Sequence, residues 1–109
     1  MTKANTIKKN WEFQEIINTK RQIVSKHLII YYRPSKMFKV GISIPKQFAN
    51  AVYRNHYKNQ IRAILRSMDV NKINYETVII ARKTFFELDF QNKSIEITKL
   101  YERILDGKK

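Results

Sequence analysis

The chain has 109 residues, enough for one compact domain (1–109) and too few for two. Hydrophobic residues make up 43% and charged residues 28%, but 22 Lys and Arg face 9 Asp and Glu, a net charge of +13. No apolar run nears the roughly 18–20 residues that span a bilayer, and the lack of Cys removes disulfides, thiolate zinc sites and cysteine nucleophiles. So strong a basic excess calls for a polyanion, with nucleic acid first, an anionic membrane surface second and an acidic protein third.

The first segment, "MTKANTIKKN", is basic but leads into no apolar stretch of the kind a signal peptide needs, so a cytoplasmic protein is expected. A helix is predicted from about Asn10, with Asn10 as N-cap and Glu12 in the first turn. Phe13, Ile16 and Ile17 fall on one of its faces, and "NTKRQ" ends it. A short strand around Gln22 to Val24 is weakly marked. "HLIIYYR" (27–33), rich in β-branched and aromatic residues, reads as a strand. Pro34 then pushes Arg33 toward an extended conformation at a turn. "MFKVGISIP" (37–45) is a second clear strand, with Val40, Ile42 and Ile44 on one face and Lys39, Gly41 and Ser43 on the other.

A helix follows from about Phe48 to Met68, and "DVNKIN" breaks it. "ETVIIAR" (76–82) is a strand whose continuous apolar run predicts burial on both faces. The last helix carries Ile97, Leu100, Tyr101, Ile104 and Leu105 at helical spacing. Either Asp89 or Ser94 can cap its start. Helix, two or three strands, helix, strand, helix is an α+β order, with helices packed on a small sheet.

The helix over 48–68 has two faces. At 100° per residue, Tyr57, Ile61, Ile64, Leu65 and Met68 form an apolar arc. Asn55, Lys58, Asn59, Arg62 and Arg66 form a second arc, Arg54 stands on the border, and His56 points away from both. No acid occurs between Lys46 and Arg66, so the cations at 54, 58, 62 and 66 repel one another at i,i+4 spacing. An anion would relieve that repulsion. Arg grips phosphate through two parallel hydrogen bonds, and Asn donates to a phosphate oxygen or a ribose 2′-OH. The face says polyanion without saying which.

"AVYRNHYKNQIRAILR" resembles the arginine- and asparagine-rich helix of the protein subunit of bacterial ribonuclease P. That family's motif has the form Arg-Asn-x-x-Lys-Arg-x-x-Arg after Ala-Val. Arg54, Asn55, Lys58 and Arg62 match it, as do Ala51 and Val52. The likeness covers nearly the whole chain: "NWEFQEIINTKRQIVSKHLIIYYRP", "KVGISIPK", "VIIAR" and "FFELDF" resemble family segments in the same order. His56 and Asn59 stand at motif positions that are commonly Arg, and Gln47 where a second Lys is usual. Contacts at 47, 56 and 59 are therefore not carried over. Ile17 also replaces a frequent aromatic.

The resemblance implies a two-layer sandwich: a small mixed sheet packed with three helices, in the order α-β-β-β-α-β-α. It also implies a left-handed β-α-β crossover through the motif helix, where general handedness rules favour the right-handed form. In the family the RNA subunit carries the catalytic Mg2+ and hydrolyses the phosphodiester at the 5′ end of mature tRNA. The protein binds that RNA and the 5′ leader of precursor tRNA. The implied RNA-binding residues are Lys46, Arg54, Asn55, Lys58, Arg62 and Arg66. The implied leader cleft, between the first helix and the sheet, is lined by Phe13, Tyr32 and Ser43. No catalytic residue, no metal ligand and no obligatory protein partner is expected of the protein itself.

The residues alone agree that catalysis lies elsewhere. There is no Gly-rich phosphate loop and no His pair at ligand spacing. His27, in a strand pattern, reads as half-buried and structural. Glu87 and Asp89 read as a turn and an N-cap rather than magnesium ligands. Adjacent strand residues face opposite ways, so Tyr31 and Tyr32 cannot both be core unless both faces of the sheet are covered; Tyr32 is assigned to the cleft. The rival function is a structural RNA-binding protein, resembling a small ribosomal protein, whose basic helix clamps RNA without a role in catalysis.

Overall fold

The computed structural model describes residues 5–47 and 50–106. Among these, three α-helices and a four-stranded sheet follow in the order α1 (Asn10–Asn18), β1 (Gln22–Val24), β2 (Leu28–Pro34), β3 (Lys39–Ser43), α2 (Ala51–Arg66), β4 (Tyr75–Ala81) and α3 (Phe90–Leu105). Short 3-10 turns at Val70–Lys72 and Lys83–Glu87 flank β4. The sheet order is β1-β2-β4-β3. β2 pairs antiparallel with β1 and β4, while β3 and β4 are parallel neighbours joined through α2. This is the mixed sheet with a β-α-β crossover that the resemblance implies.

Period-two alternation sorts the strands cleanly. Leu28 and Ile30 of β2, Val40 of β3 and Ile79 and Ala81 of β4 face α2 and α3, joining Ile61, Ile64, Leu65, Ile97, Leu100, Tyr101 and Ile104 in the large core. On the reverse face Val78 packs with Ile7 and with Ile16 of α1, and Phe13, Ile17, Tyr31 and Ile80 border this smaller cluster. The sheet with α2 and α3 makes the two-layer body, and α1 covers part of the back. Thr77, fully buried, donates to the Lys39 carbonyl at 3.0 Å and lies 2.7 Å from the Tyr101 hydroxyl. Burial there pushes the Tyr101 hydroxyl pKa well above its usual value.

The element ends follow local chemistry. Asn50 caps α2, its Oδ1 accepting from the Tyr53 amide at 3.1 Å, and the predicted start at Phe48 lies outside the described residues. Asp89, not Ser94, caps α3, accepting from the Asn92 amide at 2.8 Å. Three expectations are corrected. Asn10 is the first residue of α1 and Lys9 its N-cap, without a side-chain cap. β2 begins at Leu28, because His27 belongs to a turn in which the Ser25 hydroxyl accepts from its amide at 3.2 Å. Leu105, the last residue of α3, fits its apolar spacing but is 44% exposed and outside the core.

A candidate nucleic-acid interface

The site begins with a missing side chain. A Cβ on Gly41 would stand 2.5 Å from Cζ of Phe13, so the glycine lets the ring lie directly on β3. Phe13 thus sits where α1 meets the edge strand, half-exposed. The α1 acids point the other way: Glu15 pairs with Arg33 at 3.1 Å, Arg33 with Glu76 at 2.6 Å, and Glu12 lies 3.9 Å from Lys39. The hydrogen bond that Arg33 donates to Glu76, with Glu15 assisting against desolvation, raises the Arg33 pKa. These pairs keep carboxylates out of the space beside Phe13.

That space is a groove of about 580 Å³ at the outer edge of the sheet, beside the end of β3. Phe13, Ile17 and Ile80 supply its apolar surface, Ser43 and Lys46 the end of β3 and the loop beyond, and Arg54 and Lys58 the near side of α2. A second hollow of about 200 Å³ shares Phe13 and Lys58 with it and adds Lys8 and Arg62. The N-terminal segment is tied alongside by a hydrogen bond from the Ile7 amide to the Val40 carbonyl at 2.9 Å, which brings Lys8 there. Among the described residues no carboxylate lines either hollow. The Nε of Arg54 is buried with no hydrogen-bond partner among the described residues, an orphan donor of the kind that a buried polar group rarely leaves unfilled.

Five of the residues singled out from sequence, Phe13, Ser43, Lys46, Arg54 and Lys58, therefore line one groove, and Arg62 joins through the neighbouring hollow. Arg62 donates to Asn59 Oδ1 at 3.1 Å, so the Asn at a commonly basic position aims its neighbour. Asn55 and Arg66 are exposed on α2 and line neither hollow. Tyr32 is not in the groove. Strand alternation puts it on the opposite face, against the large core and edge-on to Tyr75 at 5.7 Å, and Tyr31 borders Phe13's cluster instead. His27 is half-buried, its Nδ1 2.8 Å from the Thr84 hydroxyl, and His56 is exposed, edge-on to Tyr57. Among the described residues no three His, Asp or Glu side chains gather as a metal site, and no helix is long and apolar enough to cross a membrane.

Sequence patterning missed Lys8, whose signal was only its place in a basic N-terminus, and Lys93. Lys93 is buried, and desolvation lowers its pKa despite an opposing effect of Asp89.

A small α+β domain with an apolar-floored, cation-walled groove at a sheet edge has the chemistry to hold a flexible polyanion. The comparisons with known proteins narrow this class. The family model for Ribonuclease P matches residues 1–105. The chain is 54% identical to the "Ribonuclease P protein component" of Mycoplasmopsis pulmonis over 110 residues, covering 100% of this chain and 99% of that one. To the protein of the same name from Mycoplasma mobile it is 46% identical, covering 99% and 96%. The solved structure of the Staphylococcus aureus RNase P protein superposes with a TM-score of 0.83 at 25% identity, covering 92% of this chain and 94% of that one. The chain belongs to the ribonuclease P protein family.

Proposed function

We propose that this protein is the protein cofactor of ribonuclease P, binding the catalytic RNA through α2 and the 5′ leader of precursor tRNA in the groove. Its role is to promote removal of the leader and maturation of the tRNA 5′ end, in the cytoplasm and without an obligatory protein partner. The observation that carries this reading is the continuity of the two sites: Phe13 and Ser43 share one groove with Arg54 and Lys58. A single strand leaving the active site of the RNA would thus meet α2 and the cleft in succession.

Each part of the groove suits part of such a ligand. A base stacks on the Phe13 ring, a contact that tolerates any sequence, as leaders of varied sequence require. The Ser43 hydroxyl donates to or accepts from a ribose or base edge. Arg54 and Arg62 grip phosphates through their forked donors, Lys46 and Lys58 act as point charges, and Asn55 and Arg66 on the outer side of α2 meet the RNA subunit. On this reading hydrolysis is performed by the RNA, which carries the Mg2+, and the protein contributes binding, alignment and charge neutralisation.

Precursor-tRNA cleavage by a bacterial ribonuclease P RNA, measured at low magnesium with and without the protein, tests this. Strong stimulation at the mature 5′ end is expected, with no cleavage by the protein alone. Tight RNA binding without stimulation would instead identify a structural RNA-binding protein.

A further inference from the structure

On the side of α2 away from the groove, the helix is fastened to α3 by a side chain of a type usually found in water. Lys93 is only 4% exposed. Its Nζ donates to Gln60 Oε1 at 2.8 Å and lies 4.8 Å from the centre of the Tyr57 ring, both on α2. It also lies 5.4 Å from the centre of Phe85, in the 3-10 turn after β4. Tyr57 in turn packs on Phe86, ring centres 4.6 Å apart. Withdrawing an ammonium from water is unfavourable, and well-packed apolar side chains join two helices as firmly. What the lysine adds is direction. An ammonium, an amide oxygen and two ring faces must align, whereas apolar surfaces permit rolling.

We propose that Lys93 is a positioning residue that fixes the rotation of α2 about its axis, and so the angle at which Arg54, Lys58 and Arg62 face the groove. Tyr57 and Gln60, the two α2 residues it holds, interleave with those three cations along the helix. A roll of about 20° moves an atom at the side-chain radius of about 6 Å by about 2 Å. That displacement breaks a hydrogen bond to phosphate. The inference rests on the reading of α2 as an RNA-binding helix.

The test is the affinity of the full chain for a bacterial ribonuclease P RNA across a salt series, with the thermal midpoint of each variant alongside. Lys93→Met removes the ammonium and keeps the stem. Gln60→Leu removes the acceptor at constant charge. Lys99→Met takes one exposed charge from the same helix, and Arg62→Ala checks that α2 binds RNA at all. Lys93→Met is expected to keep or raise the midpoint, to bind at least about fivefold more weakly than Lys99→Met, and to flatten the salt slope by about one. Gln60→Leu should weaken binding about threefold, and it decides alone if Lys93→Met does not fold. Lys93→Met matching Lys99→Met while Arg62→Ala binds weakly overturns the proposal, as does a loss of affinity that merely follows the unfolded fraction. An unaffected Arg62→Ala instead overturns the RNA-binding reading of α2, and the positioning role with it.

Discussion

The two faces of the sheet are built to different ends. Against α2 and α3 the strands bury a continuous core closed by large apolar side chains, with Thr77 and Tyr101 satisfying each other inside it. Against α1, among the described residues, the buried apolar cluster is Ile7, Ile16 and Val78, and the aromatic beside them stays half-exposed. The same strands supply both faces, so the contrast arises from what covers them: two 16-residue helices on one side, one of 9 residues on the other. Stability is concentrated where the sheet is fully covered, and the groove lies where cover is incomplete.

That contrast predicts that changes on the two faces have separable effects. Ile61→Ala, at a fully buried position, should lower stability by about 2–5 kcal/mol, the range for emptying a packed site. Urea unfolding measures this, and the protein that remains folded should bind RNA as before. Gly41→Ala acts from the other face. Its new methyl would displace the Phe13 ring, at about 1–3 kcal/mol for overpacking. It should also close the groove, so leader-bearing precursor tRNA loses its advantage over mature tRNA in a competition assay. If Gly41→Ala left that advantage intact, the groove would not be the leader site.

Much of this division was legible in the sequence. Alternation in 37–45 separated Gly41 and Ser43 from Val40 and Ile42, and helical spacing separated Ile61, Ile64 and Leu65 from Lys58 and Arg62, because both periods are fixed by backbone geometry. Tyr32 was misplaced because alternation says only that neighbours differ; which of Tyr31 and Tyr32 turns toward α1 depends on β2 pairing with β4, and that register is long-range. Leu105 fitted the apolar spacing of α3 but is the helix's last residue, and it stays exposed where Ile104 before it is buried. Lys93 was invisible, since its burial depends on Gln60, Tyr57 and Phe85 converging from two other elements. The groove itself was readable only as two separate sets of residues; their continuity is tertiary.

Smaller effects sharpen the comparison within the groove. Phe13→Ala should weaken leader binding by the worth of one stacked base, about 1–3 kcal/mol. Tyr32→Ala, on the core face, should instead lower the thermal midpoint and leave leader discrimination unchanged. Equal losses of discrimination in the two variants would erase the distinction between the faces. Along α2, Arg62→Ala should reduce the slope of log affinity against log salt by about one, whereas His56→Ala, outside both hollows, should leave it unaltered. Equal slopes would mean that the cations of α2 are not engaged as its geometry suggests.

The smallest effect tests whether the closed face does bury a charge. Desolvation lowers the Lys93 pKa in the folded chain below its ordinary 10.5, against the opposing pull of Asp89. Between the lowered value and 10.5 the unfolded chain binds more protons than the folded one, so this group's contribution to stability rises with pH across that window. At lower pH both states are charged and the folded state bears the whole desolvation penalty. Tyr101, its pKa raised by burial, stays protonated in both states until pH approaches 10, and then acts in the opposite sense. The general relief of self-repulsion as lysines titrate is common to wild type and Lys93→Met. The difference in thermal midpoint between the two, followed from pH 7 to just below 10, should therefore move in favour of wild type as pH rises. A constant difference would place the Lys93 ammonium in water and leave α2 and α3 held by apolar packing alone.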